Sequence, residues 1–147
     1  MMSGSRKAKD GIVALFNASD DTVDMVGKIL TESGANQTLI SCHFADLKKG
    51  IVDFDTYVNE HNPEVVVFDL SPPYDENWTF FKTMRDHKSM VGRGIVLTTT
   101  NKSRLDEIVG EDSVALEVVG RAKDLLEIAS AIKAETLRAR TANEAVA

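Results

Sequence analysis

Short apolar runs alternate along the chain with stretches in which apolar residues recur every third or fourth position. The first run, Gly11-Ile12-Val13-Ala14-Leu15-Phe16, predicts a strand. Asp21 to Ser33 has helical spacing: Val23, Val26 and Leu30 share one face, with Met25 and Ile29 beside them. Ser19 suits the N-cap, Asp20 and Asp21 suit the positive end of the helix dipole, and Gly34 suits the stop. Thr38 to Cys42 is a weaker second strand, and Phe54, Tyr57 and Val58 predict a short second helix. Val65 to Phe68 is the third strand, an unbroken apolar run that ends on Asp69 with Pro72 and Pro73 close behind. Trp78, Phe81 and Met84, three apart, mark a third helix, and Gly94 to Thr98 a fourth strand. Ser103-Arg104-Leu105-Asp106 has capping-box spacing and opens a fourth helix. Ala115 to Val119 is the fifth strand. The fifth helix runs from Lys123, with Leu125, Ile128, Ala129 and Ile132 on its inner face.

Strands alternating with helices in this way predict the α/β class, a doubly wound five-stranded parallel sheet covered on both faces. Unbroken apolar strands fit such a sheet because both of their faces are buried. No internal repeat or second domain is visible. The expected organisation is one domain over residues 11–137, with frayed ends at 1–10 and 138–147, where apolar residues are few.

Composition narrows the class. A chain of 147 residues with 43% hydrophobic residues builds one ordinary core. The net charge of −6, with basic residues scattered, argues against nucleic acid or an anionic membrane as partner. No apolar run approaches a membrane span, and Met1 to Asp10 lacks the apolar core of a secretory signal. One cysteine, Cys42, excludes an internal disulfide, so a cytoplasmic setting is expected. His43, His61 and His87 stand apart without ligand partners at metal spacing, and Cys42 reads as a small buried hydrophobe.

The chemistry concentrates at strand ends. In open parallel sheets, ligands bind beyond the carboxyl ends of the strands. With strands one, three, four and five adjacent, those ends bring together Asn17, Asp69, Thr98 and Gly120-Arg121. A carboxylate, a hydroxyl and a guanidinium around one crevice suit phosphoryl chemistry: the first as nucleophile, the others as donors to phosphoryl oxygens.

From Gly11 to Ile132 the sequence resembles the receiver domain of two-component response regulators. The carriers are Val65-Val66-Val67-Phe68-Asp69 with Pro73 four residues on, Ile95-Val96-Leu97-Thr98, and Glu117-Val118-Val119-Gly120-Arg121 before a final helix. The resemblance implies a flavodoxin-like (βα)5 sheet of strand order 2-1-3-4-5. It implies Asp69 as phosphoryl acceptor from a histidine kinase or phosphotransfer protein, Thr98 as the switch hydroxyl, and Arg121 at the usual lysine position. It also implies a magnesium site drawn from Asp69, Asn17, Ser71 and Asp20. That site is weakened or lost, because Asn17 and Ala18 stand where the family carries an acidic pair. Val118 replaces the family's aromatic switch residue. Arg121 is expected to turn toward Asp69 and to replace part of the missing lysine and metal charge. Output is expected by protein contact, including a homodimer, through the fourth helix, fifth strand and fifth helix, with no output module after Ala147. The domain is not expected to be an enzyme in the usual sense.

Two alternatives stand beside this reading. One is a pseudo-receiver, an interaction module that works without phosphorylation. The other, more remote, is a small flavodoxin-like enzyme or cofactor-binding domain, disfavoured because Asn17-Ala18-Ser19-Asp20-Asp21 has no glycine and its aspartates repel phosphate.

Overall fold

The computed structural model describes residues 11–17, 19–33 and 36–146. Expectations for residues 1–10, for Ala18 and for Gly34 as a helix stop lie outside those residues. The elements are β1 (Gly11–Asn17), α1 (Asp20–Glu32), β2 (Gln37–His43), α2 (Phe44–Lys48), α3 (Phe54–His61), β3 (Val65–Leu70), α4 (Tyr74–Arg85), a 3-10 turn (Lys88–Met90), β4 (Gly94–Thr99), α5 (Lys102–Val109), β5 (Leu116–Glu117) and α6 (Ala122–Val146). The strands form one parallel sheet of order β2-β1-β3-β4-β5, the expected doubly wound topology.

Alternation along the central strands divides the core in two. Ala14, Phe16, Val66, Phe68 and Leu97 face one side, where they pack with Phe44, Phe54, Val58, Phe81 and Leu105 from α2 to α5. Val13, Leu15, Val65, Val67 and Val96 face the other and pack on Val26, Ile29 and Leu30 of α1 and Ile128 and Ile132 of α6. Every residue of β3 is buried, as its unbroken apolar run requires. Phe16 and Phe68 stack at 5.5 Å between centroids, and Phe81 meets Phe68 edge-on at 5.0 Å. Burying each such ring contributes roughly 2–3 kcal/mol.

Four local features differ from the sequence expectation. A one-turn helix, α2, follows β2 directly, seated by Phe44 and Leu47 in the core. Helix α5 is capped by Asn101, whose side chain accepts from Arg104 N at 3.0 Å, and Ser103 lies inside the helix. Asp106, the expected box partner, instead accepts from Ser113 N and Oγ and from Lys102 Nζ, which pins the loop before β5. Strand β5 is only two residues long where Ala115 to Val119 was expected, and beyond it Val119 N donates to Asp124 Oδ2 at the start of α6.

The fourth difference is the last helix. It continues past Leu137 to Val146, where a frayed tail was expected. Ala139 is buried, and Arg140 makes a two-pronged contact with Glu64, with N···O distances of 2.8 and 2.9 Å. Glu64 sits just before β3 and also accepts from Gln37 Nε2 at 2.9 Å, while its backbone bonds Ile12 O and Gly94 N. One side chain and its peptide groups thus tie β1, β2, β4 and α6 together at the amino ends of the strands. No helix among the described residues is long and apolar enough to cross a membrane.

Candidate functional site

The opposite, carboxyl ends of the strands carry the candidate site. Asp69 of β3 and Thr98 of β4 are register partners on adjacent strands. Both are buried, Asp69 at 5% and Thr98 at 0% exposure. Thr98 Oγ1 donates to Asp69 Oδ1 at 2.9 Å. Of the three threonines in a row, Thr98 is the one that meets the carboxylate. Thr99 points to the other face and accepts weakly from Asn101 N at 3.4 Å.

A residue that sequence reasoning missed joins the group. Thr22, in the first turn of α1, donates from Oγ1 to Asp69 Oδ2 at 3.1 Å. It is buried, on the same helix face as Val26 and Ile29 at spacings of four and seven. That spacing was the available signal: a hydroxyl on an otherwise apolar stripe, in the turn nearest the strand ends. A buried carboxylate must have donors, and Thr22 and Thr98 each supply one, on different oxygens.

The other expected residues take different places. Asn17 is buried at the end of β1, and its Nδ2 donates to Ser19 O at 2.9 Å. Asp20 is 83% exposed at the side chain and lies 3.5 Å from His43 Nε2. Ser71 presents its carbonyl to Asn77, whose Nδ2 donates to it at 2.7 Å. Asn77 in turn accepts from Lys48 Nζ at 2.7 Å, and Lys48 also pairs with Glu76. Tyr74 is a core residue at the start of α4.

Arg121 is not drawn into the Asp69 group. Its guanidinium pairs with Asp124 at 2.8 Å and reaches Glu117 at 3.5 Å. Asp124 is fully buried and also accepts from the backbone N–H groups of Val119 and Arg121, closing the first turn of α6. The Arg121 side-chain hydrogen bond, aided by those backbone donors, holds the Asp124 carboxyl down to about 2. The same bond holds the Arg121 guanidinium above its usual range. The expectation that this guanidinium turns toward Asp69 is therefore corrected by a nearer carboxylate three residues on.

Magnesium needs several hard oxygen ligands in near-octahedral array, with carboxylate charge. The residues here do not fit it. Asp69 is bonded by two hydroxyls, Ser71 O by an amide, Asn17 carries no charge, and Asp20 is turned to solvent. Among the described residues, no three His, Cys, Asp or Glu side chains are grouped to hold a metal ion.

The sequence matches no protein-family model, and no curated protein matches it. Solved structures do resemble it. A sensor protein from Polaromonas sp. JS666 aligns with a TM-score of 0.62 at 11% identity, over 88% of this chain and 98% of that one. A structure described as a transiently phosphorylated switch in bacterial signal transduction gives 0.60 at 14% identity, over 90% and 98%. The manganese-bound form of response regulator Rcp1 gives 0.56 at 16% identity, over 84% and 91%. At these identities the likeness is one of fold: the chain has the receiver-domain fold, flavodoxin-like, with strand order 2-1-3-4-5.

Proposed function

We propose that this chain is an atypical receiver-like signalling module with Asp69 as its working residue. The observation that carries the reading is the 2.9 Å bond between Thr98 and Asp69, at the carboxyl ends of adjacent central strands in this fold. A carboxylate and a hydroxyl so placed can accept a phosphoryl group and sense its arrival. The donor is a histidine kinase or phosphotransfer protein. An Asp69 oxygen forms the new P–O bond as the P–N bond to the donor's histidine breaks, and that histidine recovers a proton. The carboxylate serves as acceptor of a signal rather than as a turnover catalyst. Output is by protein contact on the α5–β5–α6 surface, where Val114, Val119 and Leu126 are exposed, either with a downstream partner or with a second copy. The expected setting is the cytoplasm.

The experiment is intact mass after acetyl phosphate treatment, with and without magnesium. Gain of one phosphoryl group, lost in Asp69→Asn and little changed by magnesium, is the expected result. Without a cation to offset the charge on the transferring group, labelling should be slow.

A second reading has its own support. Arg121 is committed to Asp124, and Asn17 stands where an acidic residue would hold a cation. Both favour a pseudo-receiver that binds partners without phosphorylation. Its mark is no mass change together with unaltered partner binding by Asp69→Asn.

A further inference from the structure

We propose that Thr22 is a positioning residue for Asp69: its hydroxyl and that of Thr98 hold the carboxylate, so that donors of the chain itself do the work a divalent cation would otherwise do. The inference rests on the reading of Asp69 as the working residue. Its basis is geometric. The two hydroxyls come from different elements, α1 and β4, and each takes a different oxygen, Oδ2 at 3.1 Å and Oδ1 at 2.9 Å. Thr22, Thr98 and Asp69 are all buried. A carboxylate can only accept, a hydroxyl can donate, and hydrogen bonds to an ionised acceptor are stronger than those between neutral groups.

A cation entering here would have to share the oxygens of Asp69 with both hydroxyl donors. It would also compete with the Asn77 bond to Ser71 O, which joins the loop after β3 to the first turn of α4 and, through Lys48, to α2. Any donor it displaced would be a buried group in need of a new acceptor, which is costly. The arrangement also has a mechanical meaning. Any change at Asp69 acts directly on the first turn of α1 through Thr22 and on the end of β4 through Thr98.

Two substitutions separate a hydroxyl role from a packing role. Thr22→Val keeps the shape and removes the hydroxyl. Thr22→Ser keeps the hydroxyl and removes a methyl group. The side-chain carboxyl carbon of Asp69 and the amide of Thr98 are followed by NMR in the full chain. Both signals should shift in Thr22→Val and stay near their wild-type positions in Thr22→Ser. The reverse order would make Thr22 a packing residue and overturn the proposal.

Wild-type protein is also titrated with Mn2+ to roughly millimolar concentration, the range of weak oxygen-ligand sites. Signals of Asn17, Asp69 and Ser71 should broaden no more than those of an exposed carboxylate such as Asp112. Selective broadening at the three would overturn the proposal, and this arm decides if Thr22→Val does not fold. A chain that never gains a phosphoryl group would refute Asp69 as acceptor, a result independent of these two readouts.

Discussion

Arg121 and Asp124 form a closed pair at the start of the last helix, guanidinium to carboxylate at 2.8 Å, with the carboxylate wholly buried. The pair seals the turn between β5 and α6, since Asp124 also receives the N–H groups of Val119 and Arg121. Its titration gives a sign that can be checked. The folded carboxyl lies at about 2 against an ordinary 3.8, so its contribution to stability is complete above pH 4. That contribution fades as pH falls toward 2. Asp124→Asn should lower the melting temperature at pH 7. The gap to wild type should close between about pH 4 and pH 2, as followed by circular dichroism. A gap of constant size across that range would refute the assignment.

Thr98→Val removes the hydroxyl that meets Asp69, one of the donors to a buried carboxylate. The expected loss is about 1–3 kcal/mol in denaturant unfolding, with most of it recovered in Thr98→Ser. Equal losses in the two variants would show that the methyl group, not the hydroxyl, matters there.

Gly94 opens β4 under the last helix. A Cβ built there would lie 2.6 Å from Glu135 Cβ and 2.9 Å from its carbonyl oxygen, so helix and strand would have to separate. Gly94→Ala should cost roughly 1–3 kcal/mol in urea unfolding. It should also weaken the bond from Ile95 N to Glu135 Oε1, now 2.9 Å, seen as faster amide exchange at Ile95.

Asp53 caps α3, accepting from Thr56 N at 3.0 Å. Asp53→Ala should destabilise the fold by about 1 kcal/mol, and Asp53→Ser by less, measured by the shift in urea midpoint at constant slope. No difference between the two variants would argue against the cap.

Arg140→Ala breaks the two-pronged contact with Glu64. Both groups keep some exposure, so the expected loss is modest, about 0.5–1 kcal/mol, and smaller at high salt. Thermal melts at two ionic strengths check it. A loss insensitive to salt would mean that the aliphatic stem, not the charge, does the holding.

The sheet was legible because β1, β3 and β4 are unbroken apolar runs, a pattern that a buried parallel strand imposes on its own residues. The inward residues of α6, Ile128 and Ile132, were legible for the same reason. What escaped depends on partners far along the chain. The extension of α6 rests on Arg140 meeting a residue 76 positions away, which no local window contains. The brevity of β5 goes with Asp124 taking the N–H of Val119, which apolar patterning does not register.

The site divides in the same way. Asp69 and Thr98 could be placed because strand ends in a parallel sheet lie side by side. Counting residues put Arg121 just beyond β5 but could not give its direction, which the nearer Asp124 decides. Thr22 was passed over because helix patterns are read through apolar residues, and a threonine on that stripe is silent until the carboxylate it meets is known.

Glu64 gathers three strands and the last helix at one margin of the sheet, where its ties resist shear and spreading alike. At the margin bearing Asp69, the hydroxyl bonds of Thr22 and Thr98 join α1, β3 and β4. A structure stitched along one hem can gape only along the other. Any displacement that follows a change at Asp69 should therefore grow toward the mouth and vanish at the hem, with Glu64 as its fixed point.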